Sequence, residues 1–270
     1  MKFALVNNIK TEATPRAKGI CPSCGSELIA KCGKIKINHW AHKGTQNCDP
    51  WWENETEWHR SWKNNFPVEW QEVTLPDEQT GEKHIADVRT SDGLVIEFQN
   101  SPIHPKERIT REKFYKDMVW VVNCTRIKGD CPRFIKGNSY LRATNMPKIF
   151  SIEYPDVCFP SAWLGCSVPV LFDFRGTEPK DIPDDVNKNL YCLFPTQIGR
   201  YAIVAEVSRT AFIDRTINDE WLSRTRNFMN KLSISNQKEQ AQREFESELD
   251  RRLCKKRRKV DSEIRRKVNS

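Results

Sequence analysis

The stretch His84-Ile85-Ala86-Asp87-Val88-Arg89-Thr90-Ser91-Asp92-Gly93-Leu94-Val95-Ile96-Glu97-Phe98-Gln99 decides how this chain is read. Alternation in its first arm sets Ile85, Asp87 and Arg89 on one strand face, opposite Ala86 and Val88. Ser91-Asp92-Gly93 is a hairpin turn, and Leu94–Gln99 forms the partner strand, with Glu97 and Gln99 sharing a face. Pairing brings Asp87 and Glu97 within roughly 5 Å of each other. Two carboxylates that close repel unless a cation lies between them. Mg²⁺ fits, because it takes oxygen ligands and keeps waters for chemistry. Held by Asp87 and Glu97, it can polarise a phosphoryl oxygen and help deprotonate an attacking water.

Upstream, Glu53–Lys63 reads as a helix with Glu55, His59 and Lys63 on one stripe and Trp58 and Trp62 on the neighbouring one. Phe66-Pro67 stops it. A first strand then runs over Val68–Leu75 and turns at Pro76–Gly81. Downstream, Pro105 opens a helix through Met118, with Glu107 in its first turn to suit the macrodipole. Arg108, Arg111 and Tyr115 share a face of it that could meet phosphate. The apolar run Val119–Val122 closes the unit as a buried strand. The order is helix, three strands, helix, strand.

Nearer the start, Cys21-Pro22-Ser23-Cys24-Gly25 is a Cys pair whose spacing lets the backbone wrap one metal, with Gly taking the tight turn. Leu28–Lys31, Cys32-Gly33 and Lys34–Ile37 are patterned as a hairpin, after which come His39, His42 and Cys48. Such an arrangement describes a zinc-ribbon-like module. Cys21, Cys24, His42 and Cys48 are the expected ligands, with His39 the alternate. Four protein ligands leave no open position, so this zinc is structural. The remaining thiols (Cys32, Cys124, Cys131, Cys158, Cys166, Cys192 and Cys254) read as ordinary core or surface residues.

The 270 residues carry 44 Lys+Arg against 36 Asp+Glu, a net +8 that is unevenly spread. Residues 1–52 hold eight bases and three acids, and residues 224–270 fifteen bases and seven acids, so residues 53–223 are net acidic. No apolar run approaches the ~18 residues of a membrane span. Met1–Asn8 is too short in apolar residues for a signal peptide, and a cytoplasmic protein with reduced thiols is expected. The chain divides into a Cys/His module (1–52), an α/β core (53–124), a β-rich extension (125–215) and a basic helical tail (216–270). In the extension, Trp163, Phe172, Phe174, Phe194 and Phe212 read as core residues. In the tail, Lys255-Lys256-Arg257-Arg258-Lys259 forms a collar that would attract a phosphate backbone.

Taken together, Cys21–Gly25, His39-Trp40-Ala41-His42-Lys43, Cys48, Glu55–His59, Ile85–Val88, Ile96–Pro102 and Tyr115 before the Val119–Val122 strand resemble the competence protein CoiA-like family. The helix–three strands–helix–strand order also resembles the PD-(D/E)xK nuclease superfamily. The resemblance implies a metal-dependent nuclease core, a hydrolase in which Asp87 and Glu97 hold magnesium or manganese and Glu55 is a third acid. It departs from the superfamily pattern at Gln99, which stands where a Lys is usual and cannot supply positive charge. Gln99 is then expected to orient water, while Lys63 or Arg111 supplies charge. The expected partner is nucleic acid, DNA favoured over RNA, with no membrane involved. A competing reading is a zinc-containing nucleic-acid-binding protein whose nuclease-like core no longer cuts.

Overall fold

The computed structural model describes residues 1–44, 48–77, 81–176 and 184–268, apart from the side chains of residues 185, 254 and 256–268. Its first five strands are β1 (Phe3–Val6), β2 (Ile9–Glu12), β3 (Lys18–Ile20), β4 (Glu27–Lys31) and β5 (His39–His42). They form one antiparallel sheet in the order β2-β1-β3-β4-β5. The hairpin partner of β4 is therefore residues 39–42, not the expected 34–37, with Leu28 opposite His42 and Lys31 opposite His39. Burial explains the shift: Trp40 is 1% exposed and caps the small core with Leu28, whereas Ile35 is 97% exposed and has nothing to pack on. Alternation alone could not distinguish the two.

The chain continues through α1 (Glu57–Lys63), β6 (Gln71–Pro76), β7 (Lys83–Arg89), β8 (Val95–Gln99), α2 (Pro105–Tyr115) and β9 (Met118–Asn123). It follows with α3 (Asp130–Gly137), β10 (Arg142–Ala143), β11 (Ile149–Ile152), β12 (Val170–Asp173), α4 (Asp184–Lys188), β13 (Asn189–Ile198) and β14 (Tyr201–Ser208). Two helices close it, α5 (Arg209–Ile217) and α6 (Trp221–Val268). Strands β6–β14 make one nine-stranded sheet in the order β10-β11-β14-β13-β12-β9-β8-β7-β6. The fold is mixed α/β with two sheets. Among the described residues, β8–β9 and β9–β12 are the pairs that run in parallel. Every residue of β9 is buried, so this apolar strand needs neighbours on both sides, and β12 of the extension is the second.

Three boundaries differ from expectation for local reasons. Helix α1 starts at Glu57, because Thr56 caps it through a hydrogen bond from the His59 N–H (3.3 Å). Glu53 and Glu55 therefore precede the helix. Val68–Trp70 is a 3₁₀ turn and the strand begins at Gln71. Helix α2 ends at Tyr115, where Lys116 takes φ +59° and Met118 already belongs to β9. The turn expected at residues 76–81 lies partly outside the described residues.

Side chains from α1 (Trp58, Trp62) pack on Ile96, Phe98 and Val121 from one side of the sheet. From α2, Tyr115 joins Trp120, Val122 and Phe172 in a second core. Trp163, Phe172, Phe174, Phe194 and Phe212 are buried, as are the thiols Cys124, Cys131, Cys158, Cys166 and Cys192. Among the described residues, no helix is long and apolar enough to cross a membrane.

Candidate functional site

Strands β7 and β8 pair only at Val88–Ile96 and Arg89–Val95. Beyond that point side chains take over the roles of missing ladder partners. The Asp87 N–H donates to Glu97 Oε1 (3.2 Å), and the Phe98 N–H donates to Asp87 Oδ2 (3.0 Å). Each carboxylate thus reaches across to the opposite strand's backbone, which holds the two acids against each other.

Helix α1 delivers Lys63 to this point. Its ammonium donates to Glu55 Oε2 (2.6 Å) and Glu72 Oε1 (3.0 Å) and lies 3.6 Å from Asp87 Oδ1. From α2, Arg111 donates to Glu97 Oε2 (2.9 Å) and also meets Glu107. The His59 ring lies 3.3 Å from Glu53 Oε2, which accepts the Asn100 N–H (3.2 Å). A cavity of ≈ 60 Å³ opens among Glu55, Lys63, Glu72, Asp87, Glu97 and Arg111, enough for a few waters.

The charges here are perturbed by what surrounds them. Burial pushes the Glu97 carboxyl up to about 8, Asp87's charge adds to it, and Arg111 opposes both. Burial also raises Asp87, against the pull of Lys63. Burial would raise Glu72 as well, but Lys63 and the Lys2 and Phe3 N–H groups bring it down to about 2. Lys63 is raised above the ordinary lysine range: burial disfavours its charge, but Glu72, Glu55 and Asp87 outweigh burial. Glu53 Oε1 and Glu55 Oε1 are buried without a hydrogen-bond partner.

Of the residues expected at an acidic site, Glu55, Lys63, Asp87, Glu97 and Arg111 come together. Gln99 does not line the cavity; it is buried and its amide donates to the Ser101 carbonyl (3.0 Å). Arg108 is turned away, buried on Glu112 (2.6 Å) and Cys166 Sγ (2.9 Å). Tyr115 packs edge-on against Trp51 and Phe114. The helix face expected to meet phosphate is thus the buried face of α2. Glu112 and Glu107, one turn away on the same helix, pair with Arg108 and Arg111, and Glu97 of β8 adds the partner that the helix alone does not show.

Glu72 is the residue that sequence reasoning missed. It sits between the Gln71–Val88 and Val73–Ala86 pairs of β6 and β7 at φ +48°, unusual for a non-glycine, and accepts the N–H groups of Lys2 (2.6 Å) and Phe3 (3.0 Å). One carboxylate thereby joins the N-terminal sheet to Lys63. Asp49 makes a second joint, accepting the N–H of Ile85 (2.7 Å) beside the His84 ring (3.2 Å), which stacks on Trp51. His84 is thus a buried docking partner.

The N-terminal sheet carries the second cluster. One ligand atom each from Cys21, Cys24, His42 and Cys48 lies within 4.8 Å of all the others. Cys21 and Cys48 sulfurs are 3.6 Å apart, and Cys24 Sγ is 3.3 Å from His42 Nε2. A tetrahedral zinc with ~2.3 Å bonds to sulfur has edges of about 3.8 Å, so the donor set fits. Strand alternation selects His42 over His39, whose ring is 2.8 Å from the Ile37 carbonyl. Burial would raise the Cys24 thiol, but bonds to Ser26 and His42 lower it to about 6. Burial and the neighbouring sulfurs push Cys48 up to about 12. Without a cation the cluster accommodates one thiolate easily and others poorly. Among the described residues this is the one set of three or more such groups converging within metal-binding reach.

Residues 7–50 match the family model for the competence protein CoiA, N-terminal domain, a span running from just before β2 past the last ligand, Cys48. No curated protein and no solved structure matches the chain. Over residues 7–50, which hold the Cys/His cluster, the chain is thus similar to the N-terminal domain of the competence protein CoiA.

Proposed function

We propose that this protein is a metal-dependent nuclease with a PD-(D/E)xK-type core that hydrolyses phosphodiester bonds of nucleic acid, DNA favoured over RNA. The observation that carries the reading is the Asp87–Glu97 pair, each carboxylate bonded to the other strand, with the Lys63 ammonium beside Asp87. Acids outnumber cations around the cavity, and Glu55 Oε1 and Glu53 Oε1 accept no hydrogen bond among the described residues, a donor set that suits Mg²⁺ or Mn²⁺. Asp87 and Glu97 would hold that ion, with Glu55 beside them. The bound ion would supply Lewis acidity and a more acidic water.

The chain's own residues supply the rest. Lys63 brings the positive charge that Gln99 cannot, reaching the site from α1 instead of from β8. A fixed ammonium beside a developing phosphorane stabilises charge without reorganising. Arg111 orients Glu97, and Glu72 holds Lys63 in place. The zinc module, clasped to the core through Glu72 and Asp49, would add grip on the substrate.

A second reading is favoured by a different observation: Lys63 and Arg111 are already ion-paired with Glu55, Glu72, Glu97 and Glu107. On that reading the cations replace the metal and the core binds nucleic acid without cutting. Cleavage assays on single- and double-stranded DNA and RNA with Mg²⁺ or Mn²⁺ separate the two. Cutting by wild type and none by Asp87→Ala is expected. Equal behaviour of the two proteins, with neither cutting, would remove the enzyme reading.

A further inference from the structure

The cations inside the acidic site are committed to carboxylates, so a substrate's phosphates must find others. β7 and α2, the elements that present Asp87 and Arg111, both continue into an open groove of ≈ 540 Å³. Along β7, Arg89 stands two residues past Asp87, about 7 Å away along the strand. Along α2, Tyr115 is one turn past Arg111, and Lys113, Phe114 and Lys116 border the same groove. Val95, bridged to Arg89, forms part of its floor.

Arg89, Lys113 and Lys116 are exposed, and none makes an ion pair among the described residues. Lys63, Arg108 and Arg111, by contrast, all lie within 3.0 Å of a carboxylate oxygen. Lys116 is held at φ +59° where α2 breaks, at the groove's edge. Among the described residues, Asp77 is the acid lining this space, against three bases. Phe114 is half-buried and offers an aromatic surface between Lys113 and Tyr115.

We propose that this groove is the track for the substrate's sugar–phosphate backbone as it leaves the acidic site, with Arg89, Lys113 and Lys116 each meeting a phosphate. The proposal rests on the nucleic-acid reading above but not on cleavage. Contacts of this kind are sequence-independent, release counterions and steepen salt dependence by about 0.7–0.9 per phosphate.

The test is binding of a fluorescent single-stranded oligodeoxynucleotide by the full chain, measured against salt concentration with no added divalent ion. Arg89→Gln/Lys113→Gln/Lys116→Gln is compared with wild type and with a control that neutralises the exposed Arg126, Lys128 and Lys136. The groove variant should lose about two units of log–log salt slope, while the control and the groove variant keep the wild-type melting temperature and zinc content. An unchanged slope in the groove variant, with wild type binding, would overturn the groove while leaving the nuclease reading standing. Absence of binding by wild type would overturn both.

Discussion

Lys63 is 1% exposed, and its charge is stabilised by Glu55, Glu72 and Asp87 around it. Lys63→Met removes the cation that, among the described residues, contacts all three and leaves these carboxylates with too little compensating charge. Breaking a buried pair in this way costs about 3–5 kcal/mol. A chemical-denaturation midpoint should register that loss, and Lys63→Met/Glu72→Gln should recover part of it. A second residue-scale prediction concerns pH. The metal-free protein holds Glu97 with its proton affinity raised to about 8, against an ordinary 4.5, because burial and Asp87 disfavour its charge. The folded state therefore binds more protons than the unfolded state between those values. Stability from this group is fully present below about 4.5 and is lost as pH rises through about 8. Melting temperatures across that range should fall less steeply for Glu97→Gln than for wild type. A parallel pair of curves would show that Glu97 is not the titrating group. Glu72 could not be found from the sequence, since nothing local to it announces φ +48° or a partner seventy residues away.

At the scale of elements, α1 is seven residues long and cannot hold itself in place. Its anchor is Asp173 at the end of β12, wholly buried, which accepts the indole N–H groups of Trp58 (2.9 Å) and Trp62 (3.0 Å) and the Arg209 guanidinium (2.5 Å). The extension thus fixes the helix that carries Lys63. Asp173→Ala orphans two indole donors and unpairs Arg209, and should lower unfolding free energy by about 3–5 kcal/mol. The five-stranded sheet has a different dependence. Its core is Met1, Ala4, Ala13, Cys21, Leu28 and Trp40, too few large side chains to be secure alone. About one equivalent of zinc per chain is expected on metal analysis. Chelation should expose this sheet to proteolysis before the nine-stranded one. A metal-free protein that resisted protease equally in both sheets would count against a structural zinc.

At the scale of the whole molecule, charge is partitioned between a basic N-terminal module, an acidic middle and a basic end. The structure refines where that end begins. Residues 221–232 of α6 are part of the fold: Trp221, Leu222 and Leu232 are buried, and Phe228 meets Phe194 at 4.8 Å between ring centres. Asn236 still accepts the Gly199 N–H (2.9 Å). Removing residues 244–270 therefore takes away ten bases and six acids without uncovering the core. The truncated chain should melt at the wild-type temperature and bind nucleic acid with a shallower salt slope. An unchanged slope would mean that the charge of this helix is merely solvated. The side chains of Lys256, Arg257, Arg258 and Lys259 lie outside the described residues, so the truncation is the direct probe of that basic run.

Features written in short-range spacing are legible in the chain before it folds. The Cys21–Cys24 pair with His42 and Cys48, the Asp87 and Glu97 strands, and the apolar β9 all follow from periods of two and from ligand spacing. Tertiary structure decided every matter of partnership. It chose residues 39–42 as the strand beside β4, because Trp40 can be buried there and Ile35 cannot. It turned Arg108, Arg111 and Tyr115 inward, since a helix face rich in arginine can be buried once Glu112 on the same helix and Glu97 on β8 neutralise it. It placed Lys63 beside Asp87 and seated Gln99 on Ser101. A side chain's charge is local, but its neutralisation depends on residues far away in the chain, and only the folded packing brings those into contact.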